Sequence, residues 1–229
     1  MTGKWIGWSA RGTALLVGLY LYGFSMALMV RAGLGLDPWD VFHQGLSMRT
    51  GMSIGLASAV TGVVVLLAWI PLRNRPGVGT IANIVVIAVA VDSTLAWLPA
   101  PSAMAARVGF LVGGVLLNAI ATVLYVGAGL GPGPRDGLTT GLVHRTGRSV
   151  RLIRTTIEVI VVATGWLLGG NVGVGTLLYA LGIGPLIQVV LWLMPRRLLA
   201  VSGWGAVLST QRDNSASVVA AESPQDVPA

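Results

Sequence analysis

Gly33-Leu34-Gly35-Leu36-Asp37-Pro38-Trp39-Asp40 returns later in the same chain as Gly129-Leu130-Gly131-Pro132-Gly133-Pro134-Arg135-Asp136. Arg49-Thr50-Gly51-Met52-Ser53 likewise returns as Arg145-Thr146-Gly147-Arg148-Ser149, and Val78-Gly79-Thr80 as Val174-Gly175-Thr176. Arg11 finds Arg107. The offset stays at 96 residues throughout, from 33 to 129, from 49 to 145 and from 79 to 175. Solenoid repeats run to only about 20–50 residues. The chain is therefore a duplicated half-protein, with one repeat at residues 11–99 and the other at 107–195.

Composition places the duplication in a membrane. Only 10% of residues are charged, 54% are hydrophobic and the mean hydropathy is +0.79, against about 25% charged residues in soluble domains. Six apolar runs are read as spans, at Thr13–Val30, Ile54–Leu72, Val78–Leu98, Val108–Val126, Val150–Leu168 and Val172–Met194. Each is close to the ~20 residues that cross a bilayer. The first run follows Lys4 and Arg11 and has the look of a signal peptide. It is as long as a span, however, and its copy lies mid-chain, so it is read as structural. Residues 196–229 read as a largely disordered cytoplasmic tail, in which Leu198–Leu208 is apolar enough to lie along the interface and Ser209–Ala229 is polar, small and Pro-containing. The expected fold is thus an all-α polytopic membrane protein with about six transmembrane helices.

Charge sets orientation. With a cytoplasmic N-terminus, the inner side holds Lys4, Arg11, Arg73, Arg75, Arg135, Arg145, Arg148, Arg151, Arg154, Arg196, Arg197 and Arg212. The outer side holds Arg31, Arg49 and Arg107. The positive-inside rule then puts both termini in the cytoplasm of a multi-pass cell-membrane protein. Three spans per half is an odd number, so the second half enters upside down, as an inverted 3+3 repeat of the kind many transporters use.

Each half carries a short Gly- and Pro-led helix between its first and second spans. Asp37 is suited to cap it, Pro38 to occupy its first position and Gly51 to stop it, with Ser53 placed to cap the next span. About a dozen residues give ~18 Å, too short for a ~30 Å hydrocarbon core. The segment is either a re-entrant half-helix, presenting backbone N–H groups to an anion or polar solute, or an interfacial connector anchored by Trp39. The sequence leaves both open. In the re-entrant case Gly33, Gly35, Asp37, Asp40, Gly129, Gly131, Arg135 and Asp136 line a substrate pathway.

Polar residues inside spans need protein or water around them. Asp92, its repeat partner Gln188, Asn118 and Glu158 are the candidates, with Asn83 beside them, and Arg154 and Glu158 have i, i+4 spacing for an ion pair. His43 and His144 occupy different repeat positions, so no metal is expected. Absence of cysteine excludes disulfides and thiolate chemistry. No Ser/His/Asp set or phosphate loop is found, so neither an enzyme nor a cofactor is expected. The +7 charge is scattered between apolar runs rather than gathered in a basic domain, which disfavours nucleic acid and leaves the lipid bilayer as partner. Val-Gly-Thr, present in both halves, reads as small residues that allow tight helix entry, and Gly109–Gly113 spacing fits helix contact within the bundle or in a homodimer.

The string Gly-Leu-Asp-Pro-Trp-Asp-Val-Phe-His-Gln-Gly-Leu-Ser, with Arg-Thr-Gly-x-Ser, Gly-Pro-Arg-Asp-Gly-Leu and Gly-Val-Gly-Thr, resembles the YczE/YitT-type family of bacterial integral membrane proteins. The resemblance covers roughly residues 11–195. It implies a polytopic protein of the bacterial cytoplasmic membrane, and supplies no substrate or site residue. The inverted repeat favours a small-solute transporter or permease. The alternative is a non-transporting scaffold or accessory protein for a biosynthetic or envelope partner.

Overall fold

Proline and glycine punctuation divides the chain into helices of two lengths. The computed structural model describes residues 2–194, so the tail expected at 196–229 lies outside the described residues. Those residues form eight helices and no strand: α1 (Thr2–Ala32), α2 (Pro38–Thr50), α3 (Ile54–Leu72), α4 (Val78–Trp97), α5 (Met104–Gly127), α6 (Pro134–Thr146), α7 (Val150–Leu167) and α8 (Val174–Leu193). The short helices α2 and α6 start and stop 96 residues apart. Asp37 Oδ1 accepts from the Asp40 N–H at 2.8 Å to cap α2, and Gly51 ends it in the left-handed region. At the equivalent cap of α6 stands Gly133, which has no side chain to offer.

Five helices among the described residues are long and apolar enough to cross a membrane: Trp8–Ala32 of α1, then α3, α4, α5 and α8. The six expected spans differ from this set at α7. It has 18 residues and carries Arg151, Arg154 and Glu158 along them, while Val159, Ile160, Trp166 and Leu167 are exposed as on a lipid-facing surface.

Lipid is as apolar as leucine, so helices in a bilayer are joined by close approach of small residues and by hydrogen bonds. Both occur here in pairs related by the repeat. Arg11 Nε and Nη2 donate to the carbonyls of Ala128 and Gly129 at 2.7 and 2.8 Å. Arg107 Nε and Nη2 donate to those of Ala32 and Gly33 at 2.8 and 2.9 Å. Each arginine lies in the N-terminal part of the first long helix of one half and neutralises the negative C-terminal end of its counterpart in the other. These contacts make α1 and α5 antiparallel. A Cβ on Gly18 would come within 2.7 Å of the Tyr125 backbone N, and one on Gly114 within 2.7 Å of Met29 Cγ.

The Gly-Leu-Gly turns are exchanged between halves. The carbonyl of Leu34 accepts from the Gly175 N–H at 2.8 Å, and that of Leu130 from the Gly79 N–H at 2.8 Å. Gly35 (φ +112°) and Gly131 (φ +132°) adopt a conformation that a side chain disfavours, and each meets backbone of the opposite half at under 3.2 Å from an ideal Cβ. The Leu36 N–H donates to Thr176 Oγ1 at 3.2 Å. Its counterpart is Pro132, which has no N–H, so there the Thr80 hydroxyl donates to the Pro132 carbonyl at 2.8 Å. The short helices follow the same exchange: α2 packs on α7, and α6 on α3. Gly165 admits the backbone of Val41 and Phe42, and Gly137 lies under the Trp69 ring. Positions 69 and 165, like 41 and 137, are repeat partners, so bulk and gap have traded places.

Candidate functional site

The first turns of α2 and α6 meet inside the bundle. Pro38, Trp39 and Asp40 are buried, as is Pro134, whereas the last turns at Met48–Thr50 and His144–Thr146 are exposed. The short helices are therefore sunk into the protein at their N-terminal ends. Trp39 and Arg135 are repeat partners, and the Arg135 guanidinium lies 5.6 Å from the Trp39 ring centroid and 5.7 Å from that of Tyr22. Arg135 Nη2 donates to the Tyr22 hydroxyl at 2.6 Å, and Nη1 lies 3.3 Å from Asp37 Oδ2. Asp37 is fully buried. Its charge is compensated by this arginine and by its bond to the helix start, as a buried carboxylate requires. Asn118 extends the network, donating to Ser25 Oγ at 3.0 Å and accepting from the Tyr179 hydroxyl at 2.9 Å.

Two clefts flank this centre. One, of about 390 Å³, lies between α7 and α8. Asp37, Arg135, Asp136, Arg154, Glu158, Tyr125 and Tyr179 are among the residues of its wall. Arg154 Nε donates to Glu158 Oε1 at 2.9 Å. The other, of about 30 Å³, lies between α3 and α4 and is lined by Asp40, His43, Ser58, Thr61, Gly62 and Asn83, among others. Their walls are built from the same repeat positions: Met26 and Thr122, Trp39 and Arg135, Asp40 and Asp136, His43 and Thr139, Ser58 and Arg154, Thr61 and Ile157, Gly62 and Glu158, Asn83 and Tyr179, Ile87 and Ile183.

The seams explain the difference in volume. On the small cleft, Gly55 faces the Ala88 carbonyl at 2.2 Å from an ideal Cβ, and Gly62 faces Ile84 at 2.9 Å. Asp92 of α4 bridges to the start of α3, accepting from Ser53 Oγ at 2.5 Å and from the Gly55 N–H at 2.8 Å. On the large cleft the equivalent α8 positions Ala180, Gly184 and Gln188 are exposed, and a Cβ on Gly184 would meet no atom within 4 Å. The 30 Å³ cleft corresponds to roughly one water. Asp40 beside it is 1% exposed, and its Oδ2 has no hydrogen-bond partner. Its Oδ1 sits 3.3 Å from His43 Nδ1. Burial, and then the neighbouring Asp37, push the Asp40 carboxyl up to about 6, with His43 and Arg135 pulling the other way.

The expected pathway residues separate into two groups. Asp37, Arg135 and Asp136 come together in the large cleft, with Glu158, and Asp40 in the small one. Gly33 and Gly129 instead offer carbonyls to Arg107 and Arg11, and Gly35 and Gly131 pack on α8 and α4. Of the turn N–H groups, that of Leu36 is donated to Thr176 and that of Gly33 within α1. Asp92 ties a seam, Gln188 is exposed opposite it, and Asn118 is buried in the central network. Gly109 and Gly113 touch no other helix; Gly114 makes the α1 contact. Sequence reasoning missed Tyr22, Tyr125 and Tyr179. The signal was available, since Tyr22 pairs with Asn118 and Tyr179 with Asn83 across the repeat, four polar groups inside apolar runs. Among the described residues no cluster of His, Asp and Glu has metal-site geometry.

Residues 9–191 match DUF6198, a family of unknown function. An uncharacterized protein of Haemophilus influenzae is 41% identical over 80% of this chain and 84% of its own length. The uncharacterized membrane protein YczE of Bacillus subtilis is 32% identical over 78% of this chain and 84% of its own length. YyaS of the same organism, also uncharacterized, is 23% identical over 80% of this chain and 94% of its own length. No solved structure matches the chain.

Proposed function

We infer from its paired clefts what this chain, which belongs to the DUF6198 family and is a multi-pass membrane protein, does: it carries a small polar solute across the bacterial cytoplasmic membrane, exposing one central site to each side in turn. The observation that carries this reading is the existence of one cleft in two register-equivalent copies, about 390 Å³ and about 30 Å³ in volume. An inverted-repeat carrier in one of its end states has this form, because its opposite end state is the same structure with the halves exchanged. The reading takes α7 as a sixth span whose Arg154 and Glu158 face the cleft rather than lipid. The antiparallel α1 and α5 support the inversion. The arginine bias puts both termini in the cytoplasm, and it stands without Arg135, which is central rather than on the inner surface.

In this orientation the α7–α8 cleft opens inward and the α3–α4 cleft is sealed from outside. Closing α7 onto α8 sets Glu158 against Ala180 and Arg151 against Gly184, small residues that admit the larger partners. Opening α3 from α4 breaks the Asp92 bridge. Arg135, held by Asp37, Tyr22 and Trp39, sits on the wall of both clefts and meets the solute in either state.

The test uses the chain's lack of cysteine. Single cysteines replace the register partners Thr61 and Ile157 in the full chain in proteoliposomes, and a membrane-impermeant thiol reagent is applied from each side during a screen of small polar solutes. Ile157→Cys reacts from the cytoplasmic side and Thr61→Cys from the outer side, and a transported solute changes the two rates in opposite directions. If Thr61→Cys never reacts and no solute moves either rate, carriage is wrong and the scaffold reading stands.

A further inference from the structure

We propose that the α3–α4 cleft is a proton site, in which Asp40 takes up a proton as the cleft closes and returns it when the cleft opens. This rests on the transport reading above and adds proton control of its outward-facing gate. Asp40 Oδ2 is buried without a partner, and Asp40 is among the residues that line a space the size of one water. An ionised oxygen in that position has lost its hydration and gained nothing in return, a cost of several kcal/mol. A protonated carboxyl in the same place carries no net charge. The groups facing it do not remove the penalty. Asp37 adds a second negative charge, and Arg135 is engaged by Asp37 and Tyr22. His43, on the same helix, faces only Oδ1, at 3.3 Å. The α3 and α4 walls offer the neutral Ser58, Thr61 and Asn83, and α7 meets α2 through Gly165 against Val41 and Phe42.

The balance is simple. A proton from water in the opened cleft bonds to Oδ2, and the carboxyl goes from −1 to neutral. It stays there while occluded and leaves to water on reopening. The register partner Asp136 is exposed in the open cleft, so each end state occludes one carboxyl and wets the other. A sodium ion would also neutralise Oδ2, but it wants about as many oxygens as the 6–8 of other hard cations, and the side chains of this wall supply a carboxylate, three hydroxyls and one amide.

The experiment measures the Thr61→Cys labelling rate in the full chain between pH 5 and 8, divided by that of Thr50→Cys on the exposed end of α2. The ratio rises with pH by up to about tenfold per unit across the window in which one proton is released. Asp40→Asn holds it at the low-pH value, and Asp40→Glu restores the slope. A slope that survives Asp40→Asn overturns the assignment. So does a ratio that follows sodium at fixed pH through Asp40. A flat ratio in the parent protein overturns it too, and Asp92→Ala then separates two cases. If that variant raises the ratio, the cleft opens and transport stands without proton control; if it does not, the transport reading fails as well.

Discussion

Replacing Asp92 by alanine removes the bridge between α4 and the start of α3. Hydrogen bonds to a charged group contribute about 1.5–3 kcal/mol each, and Asp92 accepts two, from Ser53 Oγ and the Gly55 N–H. Ser53 is exposed and Asp92 only half-buried, so water recovers part of each bond and the pair amounts to about 2 kcal/mol. That corresponds to about 30-fold in the equilibrium between the sealed and opened α3–α4 seam. The assay is the labelling rate of Thr61→Cys by an impermeant reagent applied outside, with Ile157→Cys read from the other side. Asp92→Ala raises the first rate by about 30-fold, provided the seam starts mostly closed. Asp92→Asn, which keeps an acceptor for Gly55, gives a smaller rise. Gln188→Asp builds the mirror bridge to Ser149 and the Arg151 N–H, and lowers the Ile157→Cys rate. A Thr61→Cys rate in Asp92→Ala that stays within about twofold of the parent refutes the idea that this bridge holds the seam, since twofold is only about 0.4 kcal/mol.

Gly131→Ala and Gly35→Ala combine an unfavourable φ with backbone at under 3.2 Å, and each lowers unfolding stability in detergent by about 2–4 kcal/mol, whereas Gly182→Ala, inside α8 with nothing within 4 Å of its Cβ, does not lower it. Arg11→Ala and Arg107→Ala each remove two bonds to a helix C-terminal end, and both lower the unfolding midpoint by similar amounts despite lying at opposite faces, with Arg73→Ala as the silent control. The folded Asp40 carboxyl is raised from 3.8 to about 6. Its contribution to stability is therefore full below 3.8 and lost as pH rises through about 6. Asp40→Asn gains on the parent by about 3 kcal/mol between pH 4 and 8, read as the difference in denaturation midpoints, and an equal difference at both pH values contradicts the shift.

Much of this architecture was legible because duplication leaves an audit trail in residue numbers. The helix boundaries at Asp37-Pro38, Gly51 and Ser53 follow from local cap chemistry, and the matching of α2 with α6 from the 96-residue register. What the repeat could not reveal is which half each motif serves. Gly35 reads as a turn in its own half, yet its conformation is set by contact with Gly173 and Thr176, and no local rule contains that information. The sequence also hides the structural difference between the two halves. Asp92 and Gln188 look like mismatched copies of one polar residue, and only coordinates separate a bridge that is made from one that is not. Arg154 and Glu158 weaken α7 as an apolar run and also stand in the wall of the large cleft.

The exchanged contacts between the halves have a consequence for how the protein is made. While only residues up to about 100 have emerged, α1 ends on carbonyls that await Arg107, and the Leu34 carbonyl awaits the N–H of Gly175. A ribosome adding about 5–20 residues per second takes several seconds or more to supply both. During that interval the first half waits in the bilayer unfinished. Two separately expressed halves, meeting in one membrane, should complete each other where neither persists alone.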